Sequence, residues 1–412
     1  YIVVSIGWIV TSLFGALPFV IHGSIPSYTD AFFETMSGFT TTGASILNDI
    51  EALPHGLLFW RSVTQWLGGM GMIVLSLAIL PILGIGGMQL FVAEVPGPTK
   101  DKLHPRVRET AVRLWGIYVL LTFVEVLLLV IGGMTLFDAV CHSFTTMATG
   151  GFSTKQASIA YYQSPFIHYV IIFFMFAAGV NFTLHYHLLH GRFENLKKNE
   201  EFKFYLTVIL FWTFFIAVIL YLTNYGSAEQ SFRDSLFQVV SIITTTGFVT
   251  ADYEIWGTLL LLIFFLFLFS GSCAGSTGGG IKIVRHLLLF KNSFLELRRL
   301  IHPRAVIPVR YNGHSVPQDI ISNILAFFLF YIFIFIMGSL VMAALGLDFM
   351  TAIGSVATSL GNVGPAIGSV GPTDNFANIP TLGKWFLSFF MLLGRLELFT
   401  ILVIFSPAFW KS

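Results

Sequence analysis

Charge is what this sequence has least of. Asp, Glu, Lys and Arg make up 10% of its 412 residues, against roughly 25% in a soluble domain. That deficit excludes an ordinary soluble fold, and a net charge of +1 offers nothing for nucleic acid to bind. Cysteine is nearly missing as well. Cys141 and Cys273 make neither a disulfide framework nor a metal motif, and both read as small residues buried in a membrane. There is no Walker, HExxH, nucleophile-elbow or Rossmann pattern, so neither an enzyme nor a bound organic cofactor is expected. The chain opens YIVVSIGW, without Met and without a basic leader. No cleavable signal peptide is therefore expected, and the sequence is expected to start inside a longer protein.

Apolar length is what the sequence has instead. Hydrophobic residues make up 55% of the chain, and mean hydropathy is +0.81. A bilayer crossing needs about 20 apolar residues, and eight runs qualify, at roughly 1–22, 57–85, 112–132, 165–190, 204–223, 256–290, 319–346 and 382–406. Lys and Arg orient them. Segment 92–113 holds five, 190–203 four and 282–310 seven, whereas the opposite loops hold Arg61, Lys155, Arg233 and Lys384. The three rich segments are thus cytoplasmic.

An internal repeat organises the spans. Residues 30–45 read DAFFETMSGFTTTGAS and 138–153 read DAVCHSFTTMATGGFS; 234–249 read DSLFQVVSIITTTGFV and 351–366 read TAIGSVATSLGNVGPA. In each block an Asp or Thr precedes a glycine by thirteen residues: Asp30 and Gly43, Asp138 and Gly151, Asp234 and Gly247, Thr351 and Gly364. Each block lies between two spans on the outer side. The expected fold is an all-α polytopic membrane protein of four pseudo-symmetric helix–pore-loop–helix repeats around one central pore. Eight spanning helices and four re-entrant half-helices build it, with repeats at 1–86, 109–190, 203–290 and 318–406.

The leading Asp or Thr reads as an N-cap, and the eleven or so residues that follow suit a half-helix too short to span. After it the chain climbs back without helix. Bare backbone at that depth cannot face lipid, so it must be buried or line water. Four such segments on one axis offer carbonyl oxygens to an alkali cation, with the negative ends of four half-helices aimed at the same point. The residues assigned to this filter are Thr41, Thr42 and Gly43; Thr149, Gly150 and Gly151; Thr245, Thr246 and Gly247; and Asn362, Val363 and Gly364.

The sixth span carries SGSCAGSTGGG at 270–280. Each glycine costs a helix about 1 kcal/mol relative to alanine, so the helix is expected to break at Gly271, Gly275, Gly278, Gly279 and Gly280, beneath the third filter segment. Arg395 lies about midway along the eighth span, where charge marks a functional candidate or a pair with a buried carboxylate such as Glu125 or Glu397. Lys282 serves the break or marks the inner helix end. Gln65 and Asn181, inside the second and fourth spans, read as pore-lining or, in preference, as interhelical hydrogen-bonding residues.

The fourfold pattern, the single glycine per repeat and the tails TTMATGGFS and LGNVGPAIG resemble the Trk/Ktr/HKT potassium transporters, nearest the bacterial TrkH/TrkG branch, over essentially the whole chain. The resemblance implies potassium as the transported ion, since glycine stands at all four filter positions. It implies a homodimer with a pore in each protomer, a cytosolic nucleotide-binding regulatory subunit of TrkA type, and a place in the bacterial cytoplasmic (inner) membrane. It identifies 270–280 as an intramembrane gating loop and Arg395 as a residue that narrows the pore below the filter and touches that loop. Two departures stand out. This branch usually carries two further N-terminal helices, and the fourth filter reads NVGP, which passes the threonine roles to Asn362 and Val363.

Two other readings compete. His185, His187 and His190 in HYHLLH suggest a membrane metal enzyme, although the other histidines are scattered and solvation of a helix end explains the cluster. A secondary symporter coupling potassium to protons or sodium is the other; the broken sixth span favours it, whereas a continuous carbonyl filter favours a gated channel. Finally, 282–310 carries seven Lys/Arg against one Glu; positive-inside topology explains much of that charge, but the segment runs directly on from the glycine-rich break, so Arg298 and Arg299 are expected to dock the regulatory partner.

Overall fold

The structure, a computed structural model, describes residues 2–71, 107–302, 304–305 and 307–410. The remainder of the second span, most of segment 92–113 and Lys411 lie outside the described residues. Each repeat opens with a continuous apolar helix: Ile2–His22, Ala111–Ile131, Glu200–Leu222 and Gln318–Ala344. Between 22% and 39% of each is buried, so most of each surface faces outward. Phe211, Phe214, Val218 and Leu222 are exposed along one such face, which is what lipid in place of water as solvent selects.

A half-helix follows in every repeat: Tyr28–Phe39, Leu136–Met147, Ala228–Ile243 and Phe349–Gly361. The N-caps differ from the sequence expectation. Ser27, Thr135 and Asp348 cap the first, second and fourth half-helices, accepting the amides of Asp30, Asp138 and Thr351. Those three residues therefore stand at the third helical position. Ser227 caps the third, accepting from Gln230, and that helix is one turn longer, which puts Asp234 inside it.

Two of the four leading residues also brace the returning chain. Asp138 accepts the Thr154 hydroxyl at 2.6 Å and Thr351 accepts the Ser369 amide at 2.9 Å, so each residue ties the top of its half-helix to the strand that climbs back out. Asp30 instead pairs with Lys384 at 2.6 Å. Arg61 is the equivalent strut deeper in. Its guanidinium meets Glu34 at 2.6 Å, donates to Ser153 O at 2.8 Å and lies 3.7 Å over the Phe152 ring. Glu34 also accepts from Ser45 Oγ and Ile46 N. One buried ion pair thus holds the rising strands of repeats 1 and 2. Arg61 and Lys384 are buried and are not loop charges, which sharpens the Lys/Arg asymmetry that orients the chain.

The second helix of a repeat is interrupted more often than the glycine-rich break alone suggests. Thr258–Phe267 is followed by non-helical chain up to Lys282, after which Ile283–Ile301 resumes. But Pro165–Ala178 also breaks from Phe182–Leu189 at 105°, and Thr381–Arg395 from Phe399–Phe405 at 108°. His55–Trp66 passes into a π-turn at Leu67–Gly71. At the fourth span the break follows Gly179, and Asn181 caps the new helix by accepting the Thr183 amide at 2.8 Å. At the eighth, Glu397 and Leu398 both take positive φ. Arg395 is consequently the last residue of a helix, not the middle of one.

Two outcomes test these supports. The hydrogen bonds from Thr351 hold the Asp348 carboxyl below its ordinary value. The resulting stability is present above about pH 4 and is lost as pH falls through the lower folded value. Asp348→Ala is expected to cost about 1 kcal/mol, and Asp348→Asn far less while flattening the acid limb, as read by thermal unfolding in detergent against pH. Arg61→Ala strands Glu34 in the interior and is expected to cost about 3–5 kcal/mol. The double variant Glu34→Gln/Arg61→Met should recover part of that loss in the same assay; equal losses would show that the charge of the pair is immaterial.

Candidate filter and inner loop

Each half-helix ends in a repeated backbone figure. The residue two before the glycine is left-handed in all four repeats, with φ of 54° at Thr41, 54° at Thr149, 61° at Thr245 and 53° at Asn362. The glycines follow at 80° for Gly43, 77° for Gly151, 79° for Gly247 and 103° for Gly364. Two positive-φ residues separated by one turn the intervening carbonyl against its neighbours, a conformation for which a Cβ is costly.

The four figures close on one another. A Cβ on Gly43 would lie 2.1 Å from Gly150 O, on Gly151 2.0 Å from Thr246 O, on Gly247 2.0 Å from Val363 O, and on Gly364 2.8 Å from Thr42 O. Every glycine abuts the carbonyl just before the glycine of the next repeat, in the order one, two, three, four and back to one. A single cavity of about 90 Å³ touches all four glycines. The filter residues named from sequence are therefore brought together, and all twelve are buried except Gly43 and Gly151, which are half-buried.

Side chains brace this ring from behind. Gln65 Nε2 donates to Gly150 O at 2.7 Å and its Oε1 accepts Phe152 N at 3.0 Å. It is a strut on the second filter segment, where the sequence suggested an interhelical bond. Asn362 Nδ2 donates to Thr42 Oγ1 and to Met391 O, so the Asn of NVGP stitches repeat 4 to repeat 1. Hydroxyl pairs Thr40–Thr42 and Thr244–Thr246, each 2.8 Å apart, recur in repeats 1 and 3. His142 joins Asp138 O and Ser153 Oγ. None of Glu34, Arg61 and His142 was singled out as a site residue from sequence; the available signal was a charged or titratable residue inside an otherwise apolar half-helix or span.

The glycine-rich chain of the sixth span lies directly beneath. Gly279 N donates to Thr245 Oγ1 at 2.7 Å, and Thr277 Oγ1 donates to Met147 O at 3.0 Å. Gly275 O accepts Phe182 N at 3.0 Å, and Gly275, at φ 74°, packs on Asn181. Asn181 is thus a helix cap against this loop and not an interhelical partner. Gly271 approaches Gly279 O and Gly280 approaches Ser270 O, folding the loop back on itself. Lys282 is buried, and its ammonium donates to Gly278 O.

Arg395 reaches the same loop. Its guanidinium donates to Thr277 O at 2.9 Å, Gly68 O at 2.7 Å and Gly69 O at 2.8 Å, so backbone carbonyls of repeats 1 and 3 hold it. Of the carboxylates suggested for it, Glu397 forms an ion pair with Arg285, and both oxygens of Glu125 have no hydrogen-bond partner among the described residues. In the histidine cluster, His185 Nε2 bonds Ala177 O and His190 Nδ1 bonds Tyr186 O. Among the described residues no three His, Cys, Asp or Glu side chains are grouped to hold a metal ion.

Comparison with known proteins agrees with this architecture. The family described as TrkH, cation transport protein, matches residues 1–412. The Trk system potassium uptake protein TrkH of Salmonella typhimurium is 46% identical over 418 residues, covering 100% of this chain and 86% of that protein. The Trk system potassium uptake protein TrkG of Escherichia coli is 36% identical over 415 residues, covering 100% and 85%. The crystal structure of the potassium transporter TrkH from Vibrio parahaemolyticus superposes with a TM-score of 0.88 at 39% identity, covering 99% of this chain and 85% of that one. These matches, over the full length of a chain with four half-helices around one ring, show that it belongs to the TrkH family of cation transport proteins, a family of transporters and not of enzymes.

Proposed function

We propose that this protein takes up potassium across the bacterial cytoplasmic membrane through the ring of four filter segments, with 270–280 as its gate. The observation that carries this reading is the closed circuit of glycine-to-carbonyl approaches. It supplies a rigid set of backbone oxygens, the hard ligands an alkali cation takes in place of its water. Thr41 Oγ1 and Asn362 Oδ1 are buried there without a hydrogen-bond partner among the described residues, and a cation satisfies such oxygens. Related proteins are named for potassium uptake, which is the reason to choose potassium over sodium.

Gly271, Gly275, Gly278, Gly279 and Gly280 let the gate fold tightly under the ring, Lys282 anchors its end, and Arg395 adds a positive charge at the exit. The name Trk system, borne by the relatives, fits an assembly of several components. We assign to it a homodimer of this chain and a cytosolic nucleotide-binding subunit of TrkA type. Arg298 and Arg304 are exposed on the segment that runs on from the gate and suit that docking. Arg299 does not, because it is spent on Ile307 O and Asn292. Breaks in several second helices are also a feature of symporters. Here they lie on the inner side of an uninterrupted filter, which favours a gated channel.

Alanine at Gly151 or Gly247 is expected to lower the potassium-to-sodium permeability ratio at least tenfold. Gly364→Ala, with 2.8 Å of room against 2.0 Å, should have the mildest effect; the ratios are read in liposomes with clamped potassium, sodium and proton gradients. Unchanged ratios in all four single variants would remove the filter assignment, and potassium movement against its own gradient driven by protons or sodium would replace the channel with a symporter. Deleting 271–279 is expected to raise basal flux several-fold per folded molecule in the same liposomes.

A further inference from the structure

The four left-handed residues at the inner rim of the ring stand in one register but their side-chain oxygens meet different fates. Among the described residues Thr41 Oγ1 has no hydrogen-bond partner, and neither has Asn362 Oδ1. Thr149 Oγ1 turns back on Ala148 O. Thr245 Oγ1 alone is taken by the loop beneath, at 2.7 Å from Gly279 N. The loop makes the same demand one residue pair away, where Thr277 Oγ1 donates to Met147 O, a terminal carbonyl of the second half-helix. It also crowds the fourth: a Cβ on Gly279 would lie 2.7 Å from Gly361 O and 3.2 Å from Asn362 Oδ1. The stretch 277–279 therefore donates to one inner-rim hydroxyl and one half-helix carbonyl, and it packs closely against the fourth segment.

A donor and a cation want the same thing from an oxygen. The hydrogen of Gly279 N–H carries the positive end of a peptide dipole, and placed against Thr245 Oγ1 it opposes a cation at that rim in a setting where water does not screen it. We propose, building on the filter assignment above, that the glycine-rich loop closes the pore as a competitor of the ion: Gly279 N–H and potassium claim the Thr245 hydroxyl in turn, so a cation at the inner rim and the closed loop exclude one another.

Two consequences follow from linkage, which makes the antagonism reciprocal. Potassium loosens the loop, and removing the loop tightens potassium. Direction enters as well. An ion arriving through the filter reaches Thr245 from the side opposite Gly279 and displaces the amide, whereas an ion from the cytoplasm meets the loop and the Arg395 guanidinium first. The device favours inward over outward flow without any change in the filter itself.

Hydrogen–deuterium exchange of the 270–282 segment tests this in the whole protein in nanodiscs, in potassium chloride against N-methyl-D-glucamine chloride at equal ionic strength. Exchange is expected to be at least about fivefold faster in potassium, the lower end of ordinary coupling between sites. Thr245→Val, which loses the acceptor, should exchange fast in both salts, and Thr245→Ser should behave as the parent. Calorimetry on the chain lacking 271–279 gives an independent arm, with potassium affinity expected to rise at least about fivefold. Exchange that is unchanged or slowed by potassium, or an affinity unaltered by the deletion, overturns the competition. If that happens while the parent still binds potassium and the glycine variants still lose selectivity, the competition alone has failed; loss of the filter assignment shows instead as unaltered permeability ratios in the glycine variants.

Discussion

Peptide groups at the depth of the four converging turns cannot face lipid, so each must be buried in protein or line the cavity that the turns enclose. That requirement brings four stretches of bare backbone to one axis, and the contact that settles their spacing is a glycine with no room for a Cβ against a neighbour's carbonyl. Because the contacts run in a circuit, no segment can move alone. The long outer helices, apolar toward lipid, and the buried Glu34–Arg61 and Asp30–Lys384 pairs serve to hold that circuit still.

Charge is sparse, and where it enters the interior it is employed twice over. Arg61 neutralises Glu34 and also fixes Ser153 O and the Phe152 ring. On the inner side Arg285 pairs with Glu397 and lies 4.0 Å over the Phe327 ring. Lys282 and Arg395, by contrast, donate to backbone carbonyls, Lys282 to Gly278 O and Arg395 to Thr277 O, Gly68 O and Gly69 O. Carboxylates and cations stand together in the outer struts, and on the inner side Glu201 accepts the Ala274 amide of the glycine-rich loop.

Much of this was legible in the sequence. The glycine register, the thirteen-residue offset and the apolar runs on either side led to the four converging turns, because period and φ > 0 requirements are local properties that a sequence writes down. The break at 270–280 was legible for the same reason. The bends after Ala178 and Arg395 were not: GVN and RLE carry weak local signals, and the turn at Glu397 and Leu398 takes its conformation from packing across repeats. The N-caps were misplaced because Asp30, Asp138 and Thr351 are as suited to capping as Ser27, Thr135 and Asp348, and only the hydrogen bonds tell them apart. Gln65 and Asn181 were recognised as polar residues in apolar helices, yet their partners, Gly150 O and the loop at Gly275, lie 85 residues away in one case and across a repeat boundary in the other.

All four walls of the ring are written in one covalent chain, unlike an assembly in which four identical subunits each contribute the same wall. A substitution here alters one quadrant and leaves three intact, so the walls are free to diverge. They have done so: TTG, TGG, TTG and NVG form a lopsided orifice whose first and third quadrants keep paired threonine hydroxyls while the second leans on Gln65 and the fourth on its own asparagine. One chain therefore encloses an opening with a distinct role available to each side, and on the third side a threonine hydroxyl accepts a hydrogen bond from the glycine-rich loop beneath.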